Sequence, residues 1–164
     1  MNRTIEMVRV GLSEIGMASS RQSLKTFGLG SCVGVILYHS GLKKAGMAHI
    51  MLPEAAMAKN NAFPSGKFAD TAVPELLLQF SQCGVDKSEL KAKMAGGAEM
   101  FKGKVRTAGA GIGPRNVKAV KKALECHGVP LISEETGGHH GRTIEFFTES
   151  SSLLIRTIKG EKMI

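Results

Sequence analysis

The chain has 164 residues, 43% of them hydrophobic, 22% charged and 5% aromatic, with a formal net charge of +8 at pH 7. That length supports one sizeable core and is short for two, so a single domain over residues 1–164 is expected, and the composition excludes a disordered or fibrous chain. The longest purely apolar run, Cys32 to Tyr38, falls far below the roughly 20 residues that cross a bilayer, and the opening Met-Asn-Arg-Thr-Ile-Glu has no apolar core of a signal peptide; the expectation is a cytosolic protein without membrane insertion.

Taken in order, Thr4 to Ser19 reads as extended, with Val8, Val10 and Leu12 alternating with Arg9 and Gly11. The pattern predicts one or two strands with a bend near Gly11 or Gly16. A polar turn leads to a short strand over Ser23–Phe27, then to the turn Gly28-Leu29-Gly30-Ser31. Two glycines at i and i+2 permit positive φ and close backbone approach, which suits a tight turn or an anion-receiving nest. Val33 to Tyr38 is a buried strand by length and β-branched content, and Lys43 to Met51 reads as the next. A hairpin turning near Ser40-Gly41 sits 8 to 9 residues after Cys32 and 8 to 9 before His49. The two side chains then lie nearly opposite each other.

Pro53 to Phe68 lacks a pattern and reads as a mobile surface loop bordering that end of the hairpin. Asp70 or Thr71 caps a helix with Val73, Leu76, Leu77 and Phe80 on one face and Pro74 in the first turn, ended by Gly84. Ser88 to Ala95 predicts a strand, and the glycine-rich stretch to Gly113 a loop. A second helix opens at Gly113-Pro114, with Val117, Val120 and Leu124 inside, lysines outside and Gly128 closing it. Val129–Glu135, Gly141–Phe147 and Ser152–Ile158 read as three final strands. The class is α/β with more strand than helix.

Three widely spaced cysteines, Cys32, Cys83 and Cys126, form no CxxC pair and have no histidine at metal-ligand spacing, which argues against zinc and against a disulfide framework. Cys83 and Cys126 end amphipathic helices and read as structural. Cys32 follows a Gly-x-Gly-Ser turn whose amides can hold an oxyanion, and His49 is within plausible reach as a base. On chemistry alone Cys32 reads as readily as a nucleophile as a small buried hydrophobe. His139-His140 fit an exposed hairpin tip. Gly109-Ala110-Gly111-Ile112-Gly113 superficially resembles a dinucleotide loop, but Pro114 stands at the sixth position and the preceding stretch is too basic for a core strand. Ten basic and two acidic residues fall between Lys87 and Lys122, a stretch suited to nucleic acid, an anionic membrane surface or an acidic protein, or simply to a solvated face.

Thr26-Phe27-Gly28-Leu29-Gly30-Ser31-Cys32-Val33-Gly34-Val35 and Ala48-His49-Ile50-Met51-Leu52-Pro53-Glu54 together resemble the chemoreceptor glutamine deamidase family, CheD. The likeness continues through Lys67-Phe68-Ala69-Asp70-Thr71-Ala72, Gly96-Gly97-Ala98-Glu99-Met100-Phe101, Ile112-Gly113-Pro114-Arg115-Asn116-Val117, Gly137-Gly138 and Gly141-Arg142. The resemblance implies a layered α/β sandwich with mixed β-sheets, similar to the catalytic domain of deamidating bacterial toxins. It also implies a cytoplasmic enzyme that converts selected glutamines of methyl-accepting chemotaxis receptors to glutamate. By the same resemblance Cys32, His49 and Thr26 are catalytic, with Thr26 orienting the imidazole and backbone near Gly30 and Ser31 holding the oxyanion. Phe101 lies in the stretch that resembles a contact region for the phosphatase CheC. The alternative the resemblance carries is an adaptor that binds receptors and stimulates CheC. No cofactor, metal or nucleic acid is implied, and the basic stretch would suit glutamate-rich receptor helices.

Overall fold

The computed structural model describes residues 4–100 and 111–164. Ten strands and two helices are assigned in these residues: β1 (Glu6–Arg9), β2 (Ile15–Ala18), β3 (Gln22–Leu29), β4 (Val33–His39), β5 (Lys44–Ile50), α1 (Ala69–Gln82), β6 (Lys91–Gly96), α2 (Ile112–Cys126), β7 (Leu131–Thr136), β8 (Arg142–Phe147), β9 (Ser152–Thr157) and β10 (Gly160–Met163). The strands form two five-stranded sheets, ordered β1-β3-β8-β9-β10 and β2-β5-β4-β6-β7. Each is mixed. β1 runs parallel to β3 and β6 parallel to β7, and the remaining neighbours are antiparallel.

Two apolar clusters show how the layers stack. Leu24, Leu29, Ile36, Tyr38, Met47, Ile144, Phe146 and Ile155 fill the space between the sheets. Val33, Val35, Leu37, Ile50 and Met94 pack instead against Leu76 and Phe80 of α1 and Val120 and Leu124 of α2. The order is therefore sheet, sheet, helices: an α/β sandwich. β4 lies at the middle of its sheet and is buried on both faces, which is why it reads as a continuous apolar run rather than an alternating one.

The hairpin expected from spacing is present, with β4 and β5 paired from Val33↔Ile50 to His39↔Lys44. The first extended segment is two strands in different sheets, broken over residues 10–14 where Ser13 has a φ of 64°. β3 is longer than expected, because Gly28 does not end it. The β3–β8 register slips between Thr26 and Leu29, and Gly28 carries that bulge at a φ of 69°, a conformation most side chains resist.

The remaining differences have local causes. α1 begins at Ala69, ahead of the expected caps, because Asp70 Oδ1 accepts the Ala55 N–H (2.9 Å) and Thr71 Oγ1 donates to the Ser65 carbonyl (2.6 Å). Pro74 thus lies in the helix interior rather than its first turn. Those same bonds fasten the stretch before α1, which also folds into short 3-10 turns at Ala55–Met57 and Ser65–Lys67. Its Lys67 carbonyl accepts from both Met51 and Leu52 N–H. β6 starts three residues late, behind a 3-10 turn at Lys87–Glu89. β10 was not expected; its side chains are exposed throughout, so it lacks the apolar alternation that marks a strand.

Candidate active site

The site forms where one end of the β4–β5 hairpin meets β3 of the other sheet. Cys32 immediately precedes β4, one residue beyond the last ladder pair, Val33↔Ile50. His49 pairs with Gly34, so Cys32 and His49 are diagonal neighbours on the same face of the sheet, a separation side chains of this length can bridge. That face looks into the space between the sheets, where Thr26 of β3 points back. Spacing puts Cys32 and His49 on one face, without a hydrogen bond between their side chains, and the stacking of the sheets brings Thr26 to His49.

Thr26 is fully buried and His49 is 2% exposed. Thr26 Oγ1 lies 2.7 Å from the Val10 carbonyl oxygen and 2.7 Å from His49 Nδ1. A carbonyl can only accept, so the single hydroxyl proton goes to Val10. His49 must then donate its Nδ1–H to Thr26 Oγ1, which leaves the lone pair on Nε2. Nε2 is buried and has no partner among the described residues. The geometry thus prepares an imidazole with a free basic nitrogen.

Burial pushes the His49 pKa below its ordinary 6.5 and, at half-buried Cys32, pushes the thiol above 9.0. Both shifts favour the uncharged forms. Thr26 is a neutral orienter and adds no charge to favour an imidazolium, as a carboxylate would. The resting pair at neutral pH is therefore thiol and imidazole, not thiolate and imidazolium.

Three consecutive carbonyls around the nucleophile are tied down from the far side. The Gly30 carbonyl accepts from Ala98 N–H (2.9 Å), Ser31 from Asn116 Nδ2 (2.9 Å) and Cys32 from Gly97 N–H (2.8 Å). Of the two residues expected to supply oxyanion amides, Gly30 spends its N–H on the Gly28 carbonyl (3.1 Å). The N–H groups of Ser31 and Cys32 have no partner among the described residues. Gly96 makes the close approach possible: at a φ of 114° its Cα carries no Cβ, which would overlap the Cys32 carbonyl oxygen.

The motif Ile112-Gly113-Pro114-Arg115-Asn116-Val117 contains Asn116 but gives it no role. Its position was informative, because it falls on the inner stripe of α2 with Gly113, Val120 and Leu124, all buried. A polar side chain on an apolar stripe needs partners, and here they are the site's own carbonyls.

Other expected features separate. Phe101 lies outside the described residues, as do Lys102, Lys104 and Arg106 of the basic stretch. That stretch is not one surface: Lys93 is buried between the sheets, donating to the Ser151 carbonyl (2.6 Å). Lys118, Lys121 and Lys122 do share a face. With Gly97, Pro114, Val117 and Thr136 they line an open groove of about 630 Å³, whose Gly97 is the residue bonded to Cys32. His139 is exposed, but it lies on a crossing between the sheets and not at the expected hairpin tip, because β7 and β8 belong to different sheets; its Nδ1 donates to the Glu99 carbonyl (2.9 Å). Among the described residues no three His, Cys, Asp or Glu side chains converge in a group able to hold a metal.

A family model described as CheD chemotactic sensory transduction matches residues 51–157. The chain belongs to the CheD family. Relatives similar to it along nearly their whole length include the chemoreceptor glutamine deamidase CheD of Halalkalibacterium halodurans, 47% identical over 97% of this chain and 99% of that one. The protein of the same name in Bacillus licheniformis is 44% identical over 97% and 95% of the two chains. That of Bacillus subtilis is 45% identical over 96% of each. The family-model match begins after Cys32 and His49, so the geometry around those two residues is evidence of a separate kind.

Proposed function

We propose that this chain is a protein-glutamine deamidase that converts selected glutamine side chains of chemoreceptors to glutamate through a thioester on Cys32. The observation that carries the reading is the Thr26–His49 pair, which leaves Nε2 unprotonated and, among the described residues, unpartnered on the face that bears Cys32. The names of the relatives supply the substrate.

In the first half-reaction His49 Nε2 removes the Cys32 proton as Sγ attacks the glutamine δ-carbon. The amide oxygen becomes an oxyanion, and the N–H groups of Ser31 and Cys32 receive it. The Gly30 side of the turn contributes by holding shape. The imidazolium, still donating Nδ1–H to Thr26, returns the proton to the nitrogen, and ammonia leaves as the C–N bond breaks. In the second half-reaction His49 Nε2 takes a proton from water, whose oxygen attacks the thioester. The C–S bond breaks, the thiol regains its proton, and the side chain leaves as glutamate. No cofactor enters either step.

The lysine face of α2 beside Gly97 would receive acidic receptor segments, with salt weakening the encounter. An enzyme acting on receptor cytoplasmic helices would work in the cytoplasm. Binding of the phosphatase CheC through the segment around Phe101 is a second role suggested by the family resemblance. The Cys32→Ala variant separates the two roles, since it should still pull down CheC. Receptor cytoplasmic fragments incubated with the wild type should gain the small mass of amide-to-acid conversion at defined glutamines. Cys32→Ala should give no gain while its melting profile is kept. Conversion by the alanine variant would overturn the mechanism, and tight receptor binding without conversion by the wild type would favour the adaptor.

A further inference from the structure

The β4–β5 ladder stops one residue short of the nucleophile. Beyond Val33↔Ile50, Cys32 and Met51 fall at a position where an antiparallel ladder makes no rung, and the rung due next, from Leu52 N–H to the Ser31 carbonyl, is missing because Leu52 donates to the Lys67 carbonyl (3.1 Å). Met51 turns its N–H to the Lys67 carbonyl and Cys32 turns its carbonyl to Gly97. Two carbonyl oxygens, those of Ser31 and Met51, are left at the gap, and both are acceptors. The Nδ2 of Asn116 reaches both, at 2.9 Å and 2.9 Å.

We infer that Asn116 is a positioning residue for deamidation: its amide NH2 replaces the missing rung and fixes the nucleophile turn against the strand that carries His49. The inference rests on the deamidase reading given above. A primary amide is suited to this task because one nitrogen carries two hydrogens in a plane, one for each carbonyl. Alanine has no donor, serine has one, and an aspartate would set a carboxylate against two carbonyl oxygens. The orientation of the amide is settled by the same chemistry, since a flipped amide would face oxygen to oxygen.

Two further features agree. Asn116 is fully buried, and its Oδ1 has no protein partner among the described residues. A buried acceptor without a partner is unfavourable, so the side chain is not there to satisfy itself. It serves the two carbonyls at a cost to its own oxygen. The first turn of α2 is also held tightly, because a Cβ at Gly113 would overlap the carbonyl oxygen of Ala98, the residue whose N–H holds Gly30. Helix α2 thus grips the nucleophile turn through rigid neighbours, and Asn116 is its one polar finger.

The consequence for chemistry follows from peptide planarity. In a trans peptide the C=O and N–H point in opposite directions. Pinning the Ser31 carbonyl toward Asn116 aims the Cys32 N–H the other way, away from α2. That N–H is one of the two at this turn without a partner among the described residues. Asn116 therefore acts on both the aim of an oxyanion donor and the spacing between Cys32 and His49. Neither matters to ground-state substrate binding, so the loss should fall on kcat.

The test uses Asn116→Asp, Asn116→Ser and Asn116→Ala, with kcat normalised to active sites titrated by thiol alkylation. A misplacement near one ångström is worth on the order of 100-fold in rate, and that is the expected fall in kcat for Asn116→Ala, with KM within about threefold by the same reasoning. Asn116→Asp should recover relative to the wild type as pH falls, because the neutral acid regains one donor. A merely structural asparagine would lower the melting temperature and the titratable fraction but leave kcat per site and the pH ratio unchanged; that result overturns the inference. For variants that fail to fold, hydrogen-bond couplings from the Asn116 side-chain nitrogen to the Ser31 and Met51 carbonyl carbons are measured in the wild type. Detecting both supports the bridge, and missing either overturns it. Wild-type kcat in these variants alongside an inactive Cys32→Ala would sink the bridge alone. An active Cys32→Ala would sink the deamidase mechanism instead.

Discussion

The hydroxyl of Thr26 can be removed with almost no change of shape by Thr26→Val, and the structure says what should follow. The hydroxyl serves two buried partners, the Val10 carbonyl and His49 Nδ1–H. Each buried group left without a partner costs about 1–3 kcal/mol, so a total loss of roughly 2–6 kcal/mol of stability is expected for the two. At about 2–4 °C per kcal/mol for a chain of this size, the melting temperature should fall by roughly 4–24 °C. The effect on rate comes from tautomer choice. Without an acceptor for Nδ1–H, the neutral imidazole gains nothing by protonation at that nitrogen and carries its proton on Nε2 more often. The base is then blocked on the side that faces the nucleophile. Losing orientation and tautomer together should lower kcat by about 10²- to 10³-fold, equivalent to roughly 3–4 kcal/mol in the barrier. Thr26→Ser keeps the hydroxyl and should stay within several-fold of the wild type. Ammonia release from receptor fragments gives kcat, and calorimetry gives the melting temperature. A Thr26→Val variant that melts early but turns over at the wild-type rate would refute the orienting role.

Three further outcomes are expected. His49 must be neutral to act as base and its pKa lies below 6.5, so kcat/KM should fall on the acid side only below that value. The Cys32 thiol is pushed above 9.0, so its alkylation by iodoacetamide should climb through pH 9 rather than level off near pH 5 as a preformed ion pair would. Reversing two charges of the α2 face, Lys118→Glu with Lys122→Glu, should raise KM for receptor fragments and flatten its salt dependence while leaving kcat within about twofold, since these side chains line the groove beside Gly97 rather than the site itself. An unchanged KM would place the docking surface elsewhere.

How much of this was legible in the sequence differs from residue to residue. The β4–β5 hairpin could be read because its turn and apolar runs are local, and the Cys32–His49 pairing is a counting consequence of the hairpin. Thr26 could not be placed that way. It reaches His49 only because β3 belongs to the other sheet and the two sheets stack, a contact that no spacing along the chain encodes. The family resemblance identified it. Asn116 is in the same position, since its partners lie 85 and 65 residues away. Its one local sign was a polar residue on the buried stripe of α2. The charged stretch misled for a related reason. Lys93 alternates with Ala92 and Met94 on a strand buried on both faces, so a lysine counted as surface charge stands between the sheets. β10 escaped because an exposed edge strand is chosen by its hydrogen bonds to β9 and not by side-chain pattern.

The central claim is a thioester on Cys32, and partitioning with hydroxylamine tests it most directly. An acyl-enzyme reacts with hydroxylamine in competition with water, so the receptor glutamine should be recovered in part as its hydroxamate, rising with hydroxylamine while ammonia release continues. Direct attack of water on the amide forms no such intermediate. Hydroxamate at the target glutamines with the wild type, and none with Cys32→Ala, is the predicted result. Glutamate as the sole product at every hydroxylamine concentration would contradict it.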